Sequence, residues 1–183
     1  MQKLSKSNRL RILYGAILLL GIVLDQLSKA LAVKFLSIRA TLPLWEGVLH
    51  LTYVENTGAA FGMLKNHRWV FLVFSTVAIL ALGAYLFRGV SYMSEKREDG
   101  TYPPLNALGG VALSLIVSGG IGNMIDRLAL GYVVDFIDVR LINFAVFNVA
   151  DSFVTVGAVL LALHLLLPLF PRKKRLNAQR EEA

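Results

Sequence analysis

The sequence predicts an all-α integral membrane protein with four transmembrane helices, both termini cytoplasmic (N-in/C-in), and a small β-rich extracytoplasmic element. Three observations predict it. Hydrophobic residues fill 56% of the 183 positions and charged residues only 17%, giving a mean hydropathy of +0.61, beyond what a soluble domain carries. Four apolar stretches, about residues 12–33, 69–87, 105–125 and 152–170, reach or approach the roughly 20 residues a helix needs to cross the hydrocarbon core. Lys and Arg gather in the N-terminus (Lys3, Lys6, Arg9, Arg11), one loop (Arg88, Lys96, Arg97) and the tail (Arg172, Lys173, Lys174, Arg175, Arg180), and four spans place all three segments on one side. Cytoplasmic flanks are the enriched ones, so the outer connections are 34–68 and 126–151.

Little else fits in the chain. The charged loop and the basic tail, 171–183, read as solvated charge, and residues 1–183 form a single membrane-embedded domain. The net charge of +7 suits an anionic lipid surface, because the cations flank apolar spans; nucleic acid is not an expected partner. The absence of cysteine excludes disulfides, thiol nucleophiles and CxxC metal sites.

In the first span, a basic start, an apolar run and Ala30-Leu31-Ala32 imitate a cleavable signal peptide, but Asp25, Gln26 and Lys29 interrupt it just before the supposed cleavage site. Asp25 and Lys29 are four apart and share a helix face, either as an ion pair that makes two membrane-level charges tolerable or as the wall of a polar pocket. Ser28 and Lys29 are adjacent, about 100° apart on a helix, so they do not make a serine-lysine pair.

In the first connection, Val48 to Val54 alternates roughly as a strand does and runs into Glu55-Asn56-Thr57-Gly58-Ala59-Ala60-Phe61-Gly62, a glycine-containing turn. An extended substrate can add beside such an edge; equally, Trp45 and Phe61 can sit at the headgroup level as interfacial anchors. The third span closes on Ser118-Gly119-Gly120-Ile121-Gly122-Asn123-Met124-Ile125-Asp126-Arg127. Its glycines allow close helix packing, Asn123 and Arg127 supply polar groups at the outer end, and Asp126 beside Arg127 reads equally as a structural pair or a catalytic group.

The candidates for chemistry are Asp135 and Asp151, carboxylates at the edges of apolar segments, where ionisable groups are expensive and mark function. Asp138, three residues from Asp135, competes with it on spacing alone. The fourth span starts near Asn148 or Asp151, either of which can cap it, and the helix dipole favours an ionised Asp151, leaving Asp135 as the proton holder. Two such carboxylates sharing a proton can activate water while protonating a leaving amine.

Five blocks in order now carry a resemblance: Asp25 to Lys29, Asn56 to Phe61, Gly119 to Arg127, Val134-Asp135-Phe136, and Phe147 to Ser152. Together with the four-span layout they resemble the lipoprotein signal peptidases (signal peptidase II), bacterial membrane aspartyl peptidases. The resemblance implies that Asp135 and Asp151 are the catalytic dyad, with Asp135 chosen over Asp138. It implies that Asp25, Asn56, Gly58, Asn123, Arg127, Asn148 and Ala150 bind substrate or support the dyad. It implies a prolipoprotein substrate, cut on the amino side of a diacylglyceryl-modified cysteine, in the bacterial inner membrane near its outer face. It also implies no metal or organic cofactor, and inhibition by cyclic peptides such as globomycin. Two readings of other classes remain: a proton-coupled carrier using Asp25, Lys29, Asp135 and Asp151 as a relay, against which the lack of an inverted repeat argues, and a non-catalytic assembly factor using the glycine-rich span.

Overall fold

The structure, a computed structural model, describes residues 5–58, 68–93 and 105–167. Four long helices carry the chain: α1 (Lys6–Leu36), α2 (Arg68–Met93), α3 (Ala107–Ala129) and α4 (Val149–Leu166). Each contains a stretch long and apolar enough to cross a membrane, and their outward side chains, such as Leu19, Leu80 and Val159, are large, apolar and exposed. Such surface suits lipid and not water. Lys3, the charged run at 95–100, the basic tail and the turn from Ala59 to Gly62 lie outside the described residues.

The helix limits differ from the sequence expectation for identifiable reasons. Helix α1 starts at Lys6 because Ser5 accepts from Asn8 N at 3.2 Å and caps a polar first turn. Its 31 residues span about 46 Å, longer than a bilayer core of roughly 30 Å. Helix α4 starts at Val149 because Asn148 and Asp151 form a capping box, so both residues named as alternative caps act at once.

Helix α3 is the centre of the bundle, packed against α1, α2 and α4. Its glycines make this possible. A Cβ on Gly119 would run into the Ala150 carbonyl oxygen and stand 2.9 Å from a Val154 methyl; one on Gly122 would run into the Asp25 carboxylate. The backbone of α3 thus touches α4 and the polar face of α1 directly. At one end of the bundle Tyr14, Leu86, Val90, Leu105 and Leu113 form an apolar core.

At the other end sits an antiparallel sheet in the order β1 (Thr41–Trp45), β2 (Leu49–Asn56), β3 (Val133–Val139). Only the middle strand was anticipated. Val134 and Phe136 pack on Ala32 and Leu36, which seats the sheet on the end of α1. Strand β2 pairs with β3 along its length but with β1 only from Leu49 to Thr52, so its last residues, Val54 to Asn56, keep one edge without a strand partner and line the cavity described below. After β3 a single 3-10 turn, Arg140–Ile142, and Asn143 in the left-handed region (φ 48°) reverse the chain. Phe147 returns to β3 through backbone hydrogen bonds with Phe136 and Ile137, leaving Asn148 beside Asp135.

Gly119→Ala should destabilise the fold by about 1–3 kcal/mol through overpacking, despite alanine's better helix propensity. Gly15→Ala, where nothing lies within 4 Å of the added Cβ, should be neutral or stabilising. Thermal unfolding of the purified proteins in one detergent checks both, and equal melting points for the two variants would contradict the close α3–α4 approach.

Candidate active site

The polar groups of the third and first spans converge on Lys29. Its ammonium lies 2.9 Å from Asp25 Oδ2 and 3.0 Å from Asp126 Oδ2, and donates to Asn123 Oδ1 at 2.9 Å. An ammonium has three donors, so this buried charge is fully satisfied. Asp25 uses its other oxygen to accept from Ala150 N at 2.9 Å, binding α1 to the first turn of α4. Asp126 accepts from Gln26 Nε2 at 3.0 Å and from Val134 N at 3.1 Å, binding α1 and β3 to α3.

These contacts decide two open points and agree with a third expectation. The Asp25–Lys29 pair exists and also holds a wider network. Asp126 is directed at Lys29 and β3, while its neighbour Arg127 lines a cavity on another side, as the 100° step between adjacent helical residues requires. Ser28 donates to its own helix at the Asp25 carbonyl, 2.7 Å away, and is no partner for Lys29.

Asn123 passes the network on: its Nδ2 donates to Asp151 Oδ1 at 2.8 Å. Asn148 joins the two candidate carboxylates. Its Nδ2 donates to Asp135 Oδ1 at 2.7 Å, and its Oδ1 accepts from Asp151 N at 2.9 Å, while Asp151 Oδ2 accepts from Asn148 N at 3.2 Å. Asp135 takes a second hydrogen bond, from Asn56 Nδ2 at 2.8 Å, and Asn56 Oδ1 is held by Gly58 N at 3.0 Å. Strand alternation sends Asp138 to the opposite face from Asp135. There it accepts from Thr52 Oγ1 at 2.7 Å and pairs with Arg140 at 2.9 Å. Spacing along the chain could not separate these two aspartates; strand geometry does.

Asp135 and Asp151 both open on a cavity of about 810 Å³, which also receives Asn56, Gly58, Asn123 and Arg127. Its remaining wall is largely apolar, built from the returning segment Phe144 to Phe147 and from α4 at Val154. That wall, the strand β3 and the role of Gln26 were not foreseen; a seven-residue uncharged run, 141–147, just before an N-cap asparagine was the available signal for the wall. Arg127 extends along α3, its guanidinium donating to Asn123 O at 3.4 Å. Burial pushes the Asp135 carboxyl up to about 6; the Asn56 and Asn148 amides pull it down by favouring the charged form, and the Asp151 charge pushes it further up. For Asp138, burial raises the carboxyl but the Thr52 and Arg140 donors outweigh it, holding it below the usual carboxylate range.

Two carboxylates of different elements are thus bonded to one asparagine and line one cavity with a largely apolar wall. The sequence model described as "Signal peptidase (SPase) II" matches residues 17–167. The chain belongs to the lipoprotein signal peptidase family. Lipoprotein signal peptidases of Clostridioides difficile (strain 630) and Streptococcus pyogenes serotype M5 (strain Manfredo) are similar to it. The first is 44% identical over 163 residues, 89% of this chain and 99% of that protein; the second is 42% identical over 146 residues, 80% and 88%. Two solved structures described as a bacterial membrane enzyme, at 2.3 and 1.9 Å resolution, superpose with TM-scores of 0.70 and 0.68. They are 28% and 32% identical, the first covering 87% of this chain and 91% of its own, the second 84% and 92%. Lipoprotein signal peptidases are membrane peptidases that remove signal peptides from prolipoproteins, and this multi-pass chain is one of that family.

Replacing the hub exposes its role. Lys29→Met leaves Asp25 and Asp126 as buried carboxylates without their cation and should cost about 3–5 kcal/mol of stability. The melting temperature in detergent checks this, with an unchanged value counting against the hub.

Proposed function

We propose that the chain is an aspartic endopeptidase in which Asp135 and Asp151 form the catalytic dyad. It acts on diacylglyceryl-modified prolipoproteins and cuts on the amino side of the lipidated cysteine. The observation that carries this reading is that both carboxylates accept from Asn148, Asp135 from its side-chain amide and Asp151 from its backbone N–H, at the opening of one cavity. With one proton shared by the pair, the ionised carboxylate draws a proton from water as the oxygen attacks the scissile carbonyl carbon. The protonated carboxyl then delivers its proton toward the departing amine. The raised Asp135 carboxyl is the proton holder, and Asp151, in the first turn of α4, is the base.

The other groups hold this arrangement or the substrate. Asn148 and Asn123 orient Asp151; Asn56, fastened by Gly58 N, orients Asp135; Asp25 anchors the first turn of α4 through Ala150 N. Arg127 stands at the cavity to meet a peptide carbonyl. The whole chain, 1–183, acts as one membrane-embedded peptidase domain. The basic termini and loop support N-in/C-in insertion in the bacterial inner membrane, with the dyad near the outer face. The apolar cavity wall suits the substrate's lipid, surrounding membrane lipid, and cyclic-peptide inhibitors such as globomycin.

Purified protein in lipid or mild detergent, given a diacylglyceryl-modified prolipoprotein, should release the signal peptide. Asp135→Asn and Asp151→Asn, checked for equal folding, should each lose at least about a thousandfold in rate. Persistent cleavage by either variant removes that residue from the dyad.

The pH profile gives an independent reading. The free enzyme needs one proton on the pair, so kcat/KM should fall as pH rises through about 6, where Asp135 ionises. The Asn56 amide stabilises the charged form of Asp135, so Asn56→Ala should raise that carboxyl and move the alkaline limb to higher pH. A limb that stays in place or moves down contradicts the assignment of Asp135.

A further inference from the structure

The edge of the sheet carries an apolar strip that neither the bundle nor the cavity uses. Just past α1, Ile38 is 92% exposed; along β1 and at its far end Leu44 is 58% and Trp45 69% exposed; beyond β3, Leu141 is 68% and Ile142 67% exposed. Backbone bonds gather the far residues at one tip: Val48 N donates to Trp45 O at 3.0 Å and Leu141 N donates to Val48 O at 3.3 Å. All five residues of β1 are exposed, and a bulge between Pro43 and Trp45 interrupts its pairing with β2 beside Leu44.

Edge strands that face water are usually guarded by charge. Residues 40–45 carry none, and neither do residues 141–150. At the far tip exposed Glu46 and Arg140 stand beside the apolar side chains, a mixture of charge and apolar surface that the headgroup region accommodates. Both ends of the strip also run into membrane spans. Exposed Phe35 and Ile38 continue it onto α1, and exposed Phe144 leads through an uncharged segment to α4, whose Val156 and Val159 are exposed. Exposed Lys34 and Arg39 bracket Ile38 at the exit of α1, where cations meet lipid phosphates.

We propose that the sheet lies flat in the lipid headgroup region, with Leu44, Trp45, Leu141 and Ile142 inserted into the leaflet where α1 ends and α4 begins. Trp45 sits at the interface that tryptophan favours, and the unpaired edge of β1 meets the water that remains among the headgroups. The sheet thereby fixes the height of the cavity mouth, since β3 carries Asp135 and the segment leaving the tip carries Asn148. This holds whatever the reaction at the dyad.

The chain suits a direct test. It has two tryptophans and no cysteine, so Trp69→Phe leaves Trp45 as the sole reporter and Ile142→Cys gives one labelling site at an exposed position. In vesicles of phosphatidylcholine and phosphatidylglycerol, lipids brominated near the glycerol end of the acyl chain should quench Trp45 more than those brominated deeper, and aqueous iodide should reach it poorly. A nitroxide on Ile142 should be more accessible to oxygen than to a water-soluble nickel chelate, as should one on Val159→Cys, the control on α4. Iodide quenching of Trp45 without bromine quenching, with Val159 still in lipid, would place the sheet in water and overturn the proposal. Shielding from both quenchers would show that protein covers the strip, and would overturn it equally.

Discussion

One buried ammonium holds the architecture of the site. Lys29 lies inside a bundle whose outer surface suits lipid, where an uncompensated charge costs several kcal/mol. Its three acceptors come from two helices, Asp25 from α1 and Asp126 and Asn123 from α3, and each acceptor spends its remaining capacity on another element. Asp25 takes the first turn of α4, Asp126 takes β3, and Asn123 takes Asp151. Satisfying one charge therefore sets the positions of all the elements that carry the candidate dyad.

The first turn of α4 carries two duties at once. Asn148 and Asp151 satisfy orphan amides at the helix start as a capping box, a role usually worth about 1 kcal/mol. The same Asn148 amide reaches Asp135. Removing this residue would release the helix end and separate the carboxylates together, so a stability measurement and a rate measurement on it would report one event. The glycines at 119 and 122 serve the same end from α3, because only a backbone without Cβ lets the Ala150 carbonyl and the Asp25 carboxylate come so close.

Much of this was legible in the sequence, for physical reasons that differ from element to element. Apolar length alone announces a span, so all four helices were found, but their ends were not: Ser5 and Asn148 cap helices that begin before the apolar stretch, and α1, α2 and α3 run past theirs, to Leu36, Met93 and Ala129. The middle strand showed because it alternates roughly. Strand β3 did not: Val133 to Phe136 are all buried, and a run buried on both faces has no period to read. Strand β1 escaped notice because all of its residues are exposed and a proline interrupts it. Asp135, Asp151, Asn123 and Asn148 stood out as polar residues among apolar neighbours, and the structure brings them together.

What the sequence determined by itself is therefore the solvent each segment requires: which stretches belong in lipid, which charges are out of place there, and which family the ordered blocks resemble. Only the tertiary structure decided which of those charges meet. Asp126 turned to Lys29 and β3 while Arg127 turned to the cavity, and Asp135 was separated from Asp138 by the alternation of one strand. Those choices depend on direction from a backbone, and direction appears only when residues 94 apart along the chain, as Lys29 of α1 and Asn123 of α3 are, come within a hydrogen bond of each other.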